Sequence, residues 1–177
     1  MSAPLSVNRR PLIAAAALLG IGMGGFVDGI LFHQLLQLHN MLSGPGYFPK
    51  TGVPPERLVV NLEVNMFWDG LFHTFTWLMT AAGLALLWRA GQRPDVPWST
   101  RTFVGGLALG WGMFNLVEGV IDHHVLHVHH VTETEGHMVW DLAFLASGAV
   151  LIGIGWLTIR SGESDRTPRG DLRAVPG

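Results

Sequence analysis

The chain has 177 residues, 49% of them hydrophobic and only 14% charged, with no cysteine and a formal net charge of −2. That is enough chain for one domain, but an ordinary soluble domain would carry nearer a quarter charged residues. The charge balance leaves no basic footprint for nucleic acid, and the missing thiols exclude both a disulfide framework and a thiolate metal site.

Four apolar stretches follow one another, from Pro11 to Leu38, Leu58 to Trp88, Phe103 to Val125 and His137 to Ile159. Each is long enough to cross a hydrocarbon core as a helix, which takes about 20 residues. Arg9 and Arg10 before an alanine–leucine run are similar to the start of a signal peptide. The apolar run continues past Phe26 without a small-residue cleavage site, so it reads as a span. The expected fold is an all-α integral membrane protein, residues 1–160 forming one bundle of four transmembrane helices. Residues 161–177, rich in charge, glycine and proline, read as a flexible cytoplasmic tail.

Orientation follows from the basic residues. Arg9 and Arg10 precede the first span, Arg89, Arg93 and Arg101 lie between the second and third, and Arg160, Arg166, Arg169 and Arg173 follow the fourth. The first outer loop holds only Lys50 and Arg57, and the second has neither lysine nor arginine. Positive residues stay inside, so both termini are expected in the cytoplasm.

The two halves repeat. GIGMGGFVDGILFH at Gly20 to His33 aligns with GWGMFNLVEGVIDH at Gly110 to His123, with six of fourteen positions identical. At the same offset of 90, Asp28 falls on Glu118 and His39 on His129. NMFWDGLFH at Asn65 to His73 aligns more weakly with HMVWDLAFL at His137 to Leu145, placing Asp69 on Asp141 at an offset of 72. The reading is a duplicated hairpin, 11–90 and 102–160, with the longer SGPGYFPKTGVPP loop absorbing the difference. Both hairpins start inside, so an axis along the membrane normal would relate them. Glycines four apart, such as Gly20 with Gly24, Gly25 with Gly29 and Gly106 with Gly110, suit close helix packing in lipid.

Depth places the polar residues. At about 1.5 Å rise per residue, Asp28, Asp69, Glu118 and Asp141 lie roughly 26 to 30 Å from the arginines flanking their spans. Four helices thus each bring one carboxylate to a common height, with His33, His123 and His137 about one turn beyond and His73 slightly below. Four unpaired charges at helix centres would cost on the order of 10 to 14 kcal/mol, and no lysine or arginine inside the spans offsets them. Bound cations, histidinium partners or protonation must. Spacing supports a shared pocket: Asp69 with His73, His137 with Asp141, Glu118 with Asp122 and His123 with His127 are each four apart. Asp28 and His33 are five apart, a poorer match that needs either a bulge in the helix or roles in successive shells of the site.

The candidate metal ligands are therefore Asp28, His33, Asp69, His73, Glu118, His123, His127, His137 and Asp141. Copper or iron is expected ahead of zinc, with haem between paired histidines such as His33 and His123 as the alternative. His39, His129 and His130 are read as lining an entrance or facing solvent. Gln37, Asn40 and Asn65 are read as hydrogen-bonding supports. One carboxylate from each of four helices is similar in geometry to dinuclear carboxylate centres of helix bundles, although their Glu-x-x-His spacing is absent.

GGFVDGILFHQLLQLHNM, FWDGLFH and NLVEGVIDHHVLHVHH, within Pro11 to Ile159, together resemble a bacterial inner-membrane family of unknown function. The resemblance implies a multi-pass bacterial protein and supplies no activity. Asp69-x-x-x-His73 is also similar to part of the copper site in the membrane subunits of methane and ammonia monooxygenases. The density of HHVLHVHH is similar to that of membrane di-iron desaturases, whose boxes read His-x-x-His-His and face the cytoplasm, whereas this cluster is expected to face outward.

Three function classes follow. One is a redox metalloenzyme of one or two iron or copper ions, its site facing the periplasm. The second is copper or zinc handling, for transport, delivery or oxidase assembly, which Met41, Met66, Met113 and Met138 suit. The third is a haem-binding or proton-relay subunit. The expected partners are the bilayer, metal ions and another membrane subunit or a second copy.

Overall fold

The computed structural model describes residues 7–42 and 57–162, so the first outer loop and the tail fall outside the described residues. Helix α1 spans Arg10–Phe26 and continues as a π-helix over Val27–Leu35. Helix α2 spans Leu58–Gly91. Helix α3 spans Thr100–Glu118 and continues as a π-helix over Gly119–Val125, and α4 spans His137–Ser161. Pro11 at the first turn of α1 costs no hydrogen bond, since that N–H has no partner inside the helix. Ser99 caps α3 by accepting from Thr102 N–H at 3.0 Å.

All four helices are long and apolar enough to cross a membrane. They pack in the order α2–α1–α3–α4, and among the described residues α2 and α4 do not touch each other. The central pair is set by glycine. A methyl on Gly20 would strike the Leu107 carbonyl, and one on Gly110 would strike the Ala17 carbonyl. Both contacts obey the offset of 90, so α1 and α3 meet through equivalent points. In lipid such small residues let backbones approach where no hydrophobic effect drives association.

The flanking helices dock through a narrow seam. Helix α4 buries Asp141, Gly148 and Gly155, seven apart. Helix α2 buries Thr76 and, again seven apart, Gly83 and Ala90. That spacing puts one small contact on the partner every second turn. The remaining faces present Phe67, Trp77, Leu84, Val139 and Leu157 outward.

The end of the row that holds the chain starts of α1 and α3 carries the arginines. There Arg9 donates to the Ile159 carbonyl and Arg101 to the Ser161 carbonyl. Trp156 stacks under the Arg160 guanidinium at 4.1 Å. The opposite end carries the carboxylates and histidines.

Candidate metal centre

The π-helical ends create the site. In a π-helix the hydrogen bonds run to the fifth residue, so side chains five apart share a face. Leu36 N–H donates to the Leu31 carbonyl at 2.8 Å and Leu126 N–H to the Ile121 carbonyl at 2.7 Å. One residue pair further on, Leu38 reaches Phe32 and Val128 reaches Asp122. Gln37 and His127 then adopt left-handed backbone, at φ 50° and 48°. That conformation is uncommon outside glycine. It turns the chain so that His39 lies against His33 and His129 against His123, with ring centroids 4.5 and 5.1 Å apart.

The five-residue spacing that fits an α-helix poorly becomes the contact itself. His33 Nε2 lies 3.2 Å from Asp28 Oδ2, and His123 Nε2 lies 3.1 Å from Glu118 Oε1. On their other edges, His33 Nδ1–H donates to Asp69 Oδ1 at 2.7 Å, and His123 Nδ1 lies 3.3 Å from Asp141 Oδ1. His39 Nδ1–H donates to the Val131 carbonyl at 3.0 Å, and His129 Nδ1–H to the Met41 carbonyl at 2.9 Å. These two rings stack at 4.5 Å and 8°. The four imidazoles are only 1 to 3% exposed.

Tautomers follow from the acceptors. A carbonyl or ionised carboxylate only accepts, so Nδ1 carries the proton on His33, His39 and His129, and a neutral ring turns a lone pair out at Nε2. On His33 that lone pair faces Asp28 Oδ2 at 3.2 Å, whereas His129 Nε2 is within hydrogen-bond distance of Glu118 Oε1, at 3.1 Å. Two acceptors in contact repel unless a positive charge lies between them. Asp28 Oδ2 and His33 Nε2 make no hydrogen bond, and neither do His39 Nε2, Glu118 Oε2 and both ring nitrogens of His123. Each such buried group costs about 1 to 3 kcal/mol if left unsatisfied. Outside the spans, His39 is held far below its ordinary pKa of 6.5, to about 2, by burial first and then by the neighbouring His129 and His33 rings.

Ligand atoms converge in three groups, each within 4.8 Å: His33 with His39 and His129, Glu118 with His123 and His129, and His130 with His137 and Asp141. Asp28 joins the first group through its contact with His33. Asp69 Oδ1 sits on the Nδ1 edge of His33 and Asp141 Oδ1 on that of His123, where a carboxylate orients an imidazole, which leaves Asp141 Oδ2 to the third group. His73 is placed apart: its Nδ1–H donates to its own helix at the Asp69 carbonyl, and Nε2 packs against Gly29. His127 is exposed, its ring 6.2 Å from His130. Asn65 holds the Leu42 N–H at 3.0 Å and donates to the Asn61 carbonyl, a supporting role.

His39 and His129 do not face solvent: both are buried, and His129 also lines a cavity at this end. The physical reason is the left-handed turn, which folds the segment after each helix inward instead of out to water. Their common offset of 90, shared with His33 and His123, is the signal in the sequence that pairs them with the site.

Residues 15–162 match the model of a family described as "Predicted membrane protein (DUF2243)". The chain belongs to that family. No curated protein and no solved structure matches it. This DUF2243 protein thus has four helices suited to a membrane and, at one end of them, clusters of histidine and carboxylate capable of holding metal ions.

Proposed function

We propose that this DUF2243 protein is a membrane metalloprotein with a two-metal centre that performs redox chemistry. Asp28, His33 and His39 hold one ion, and Glu118, His123 and His129 the other, while Asp69 and Asp141 orient His33 and His123. The observation that carries the reading is the buried His33 Nε2 and Asp28 Oδ2, 3.2 Å apart without a hydrogen bond, beside the equally unbonded Nε2 atoms of His39 and His123. Two divalent ions would balance the four carboxylates. Imidazole and carboxylate donors without thiolate suit iron or copper.

Several features favour a resident redox centre over a transit site. Its donors are buried, and separate acceptors hold the Nδ1–H of His33, His39 and His129. A groove of about 280 Å³ also opens on the lipid-facing side between α2 and α3, lined by Ile21, Phe72, Phe75 and Met113 and reaching Glu118 and Asp122. It gives a small apolar reductant or substrate a path to the carboxylate. At the corresponding place in the other half, Trp111 and Phe32 stand in the positions of Ile21 and Asp122.

The glycine contacts, π-helical ends, left-handed turns and crossed carbonyl bonds all recur at an offset of 90, which supports a duplicated hairpin. With the arginines at the far end, the termini lie in the cytoplasm and the centre faces the periplasm of a bacterial inner membrane.

Metal analysis of protein purified in detergent tests the reading. Two equivalents of iron or copper with a coupled spin signal are expected, and His33→Ala and His123→Ala each lose one. A Soret band would identify haem instead, and a preparation that binds no cation would overturn the proposal.

A further inference from the structure

The buried centre needs a way in for its ions, and the outer face of the second half is built for one. His130 and His137 stack at 3.9 Å and 28°, both turning Nδ1 onto Asp141 Oδ2, at 2.7 and 3.4 Å. Their side chains are 21% and 39% exposed, whereas Asp141 is 1% exposed. Above them lies a cavity of about 420 Å³ whose walls include His127, His129, Glu133 and Glu135. One wall residue, His129, is itself at the buried centre, 3.1 Å from Glu118. The two glutamates place negative potential at the mouth, which concentrates cations.

Asp141 joins the two levels. Its Oδ2 faces the outer pair, while its Oδ1 accepts from Val131 N–H at 2.9 Å and lies 3.3 Å from the buried His123. The adjoining Val131 carbonyl holds His39. The arrangement belongs to one half only: at the offsets of 90 and 72, Asn40 and Asn65 stand where His130 and His137 do. Asparagine is a poor transition-metal ligand compared with imidazole.

We infer that His130, His137 and Asp141 form a separate outer site that captures a transition-metal cation from the outside and loads the buried centre. Capture stands on its own geometry; loading rests on the two-metal reading above. The outer ion has three protein ligands and open positions toward water, so it exchanges faster than an ion enclosed by the four buried imidazoles.

The test titrates chelator-stripped, full-length protein in detergent with Co(II), following its d–d absorption, and times loading by stopped flow. His130→Asn and His137→Asn install the residues already present in the other half, and size-exclusion profiles check that the variants fold. The double variant is expected to lose one weak equivalent, to keep the two tight ones, and to load them about tenfold more slowly. Glu133→Gln with Glu135→Gln slows loading without changing the count. Unchanged stoichiometry and rate in the double variant would overturn the outer site while leaving the buried one standing. If wild type binds a single ion that His137→Asn removes and His33→Ala does not, the buried centre fails and the outer site stands.

Discussion

Asp69 separates orientation from ligation. Its carboxylate takes the His33 Nδ1–H at 2.7 Å and is the only protein group bonded to that edge of the ring among the described residues. Loss of such a partner typically costs 10- to 100-fold in metal affinity, or about 1.4 to 2.7 kcal/mol. In Asp69→Asn the amide oxygen still accepts the same proton, so the tautomer survives and the loss is near tenfold. Asp69→Ala leaves Nδ1–H without a partner and the ring free to turn, so the loss approaches 100-fold. His33→Ala instead deletes a donor and with it one equivalent. The assay is competition against a chromophoric chelator, with helix content and size-exclusion profile as controls. If Asp69→Asn strips a full equivalent as His33→Ala does, Asp69 is a ligand and the assignment of roles is wrong. If Asp69→Ala leaves affinity untouched, the aspartate has no part in the site.

Three further outcomes are expected. Gly20→Ala or Gly110→Ala drives a methyl into a carbonyl of the facing helix and lowers stability by about 1 to 3 kcal/mol, measured by denaturation in mixed micelles; Gly70→Ala, which meets nothing within 4 Å, is expected to be neutral or stabilising. Stripping the metals lowers the unfolding temperature, because an ion at 100 times its Kd adds about 2.7 kcal/mol; an equal melting temperature with and without chelator would contradict a folded-state centre. In the stripped protein, His39 takes up its proton far more readily when unfolded, since its folded value is about 2 against 6.5. Its contribution is complete above pH 6.5 and declines as pH falls from there toward 2. A His39→Gln variant therefore shows a flatter loss of stability with acid, and matching slopes would remove His39 from the buried cluster.

The spans were legible because an apolar run of 20 or more residues has few other uses. Their packing order was not. Hydropathy is similar for a helix wrapped in lipid and one between two others, so nothing in α1 and α3 announces that they are central except their glycines. The π-helical ends are visible only as a misfit, the five residues separating Asp28 from His33. A sequence reading built on α-helical periodicity shows the mismatch and allows a bulge, but does not show that the whole end of each helix is π-helical. The burial of His39 and His129 is hidden for a related reason: depth along a straight helix carries them past the hydrocarbon, and one left-handed residue in each half turns them inward. Asp69 and Asp141 are legible as candidates, yet which edge of an imidazole a carboxylate touches depends on side-chain rotation that spacing does not encode.

The reciprocal bonds between His39 and the Val131 carbonyl, and between His129 and the Met41 carbonyl, bear on biogenesis. Each half's stacked ring is held in place by backbone from the other half of the chain. A nascent chain that has inserted only α1 and α2 has His39 but not the acceptor that fixes it. Closure of the His39–His129 stack must therefore wait until the ribosome has delivered the segment around Val131.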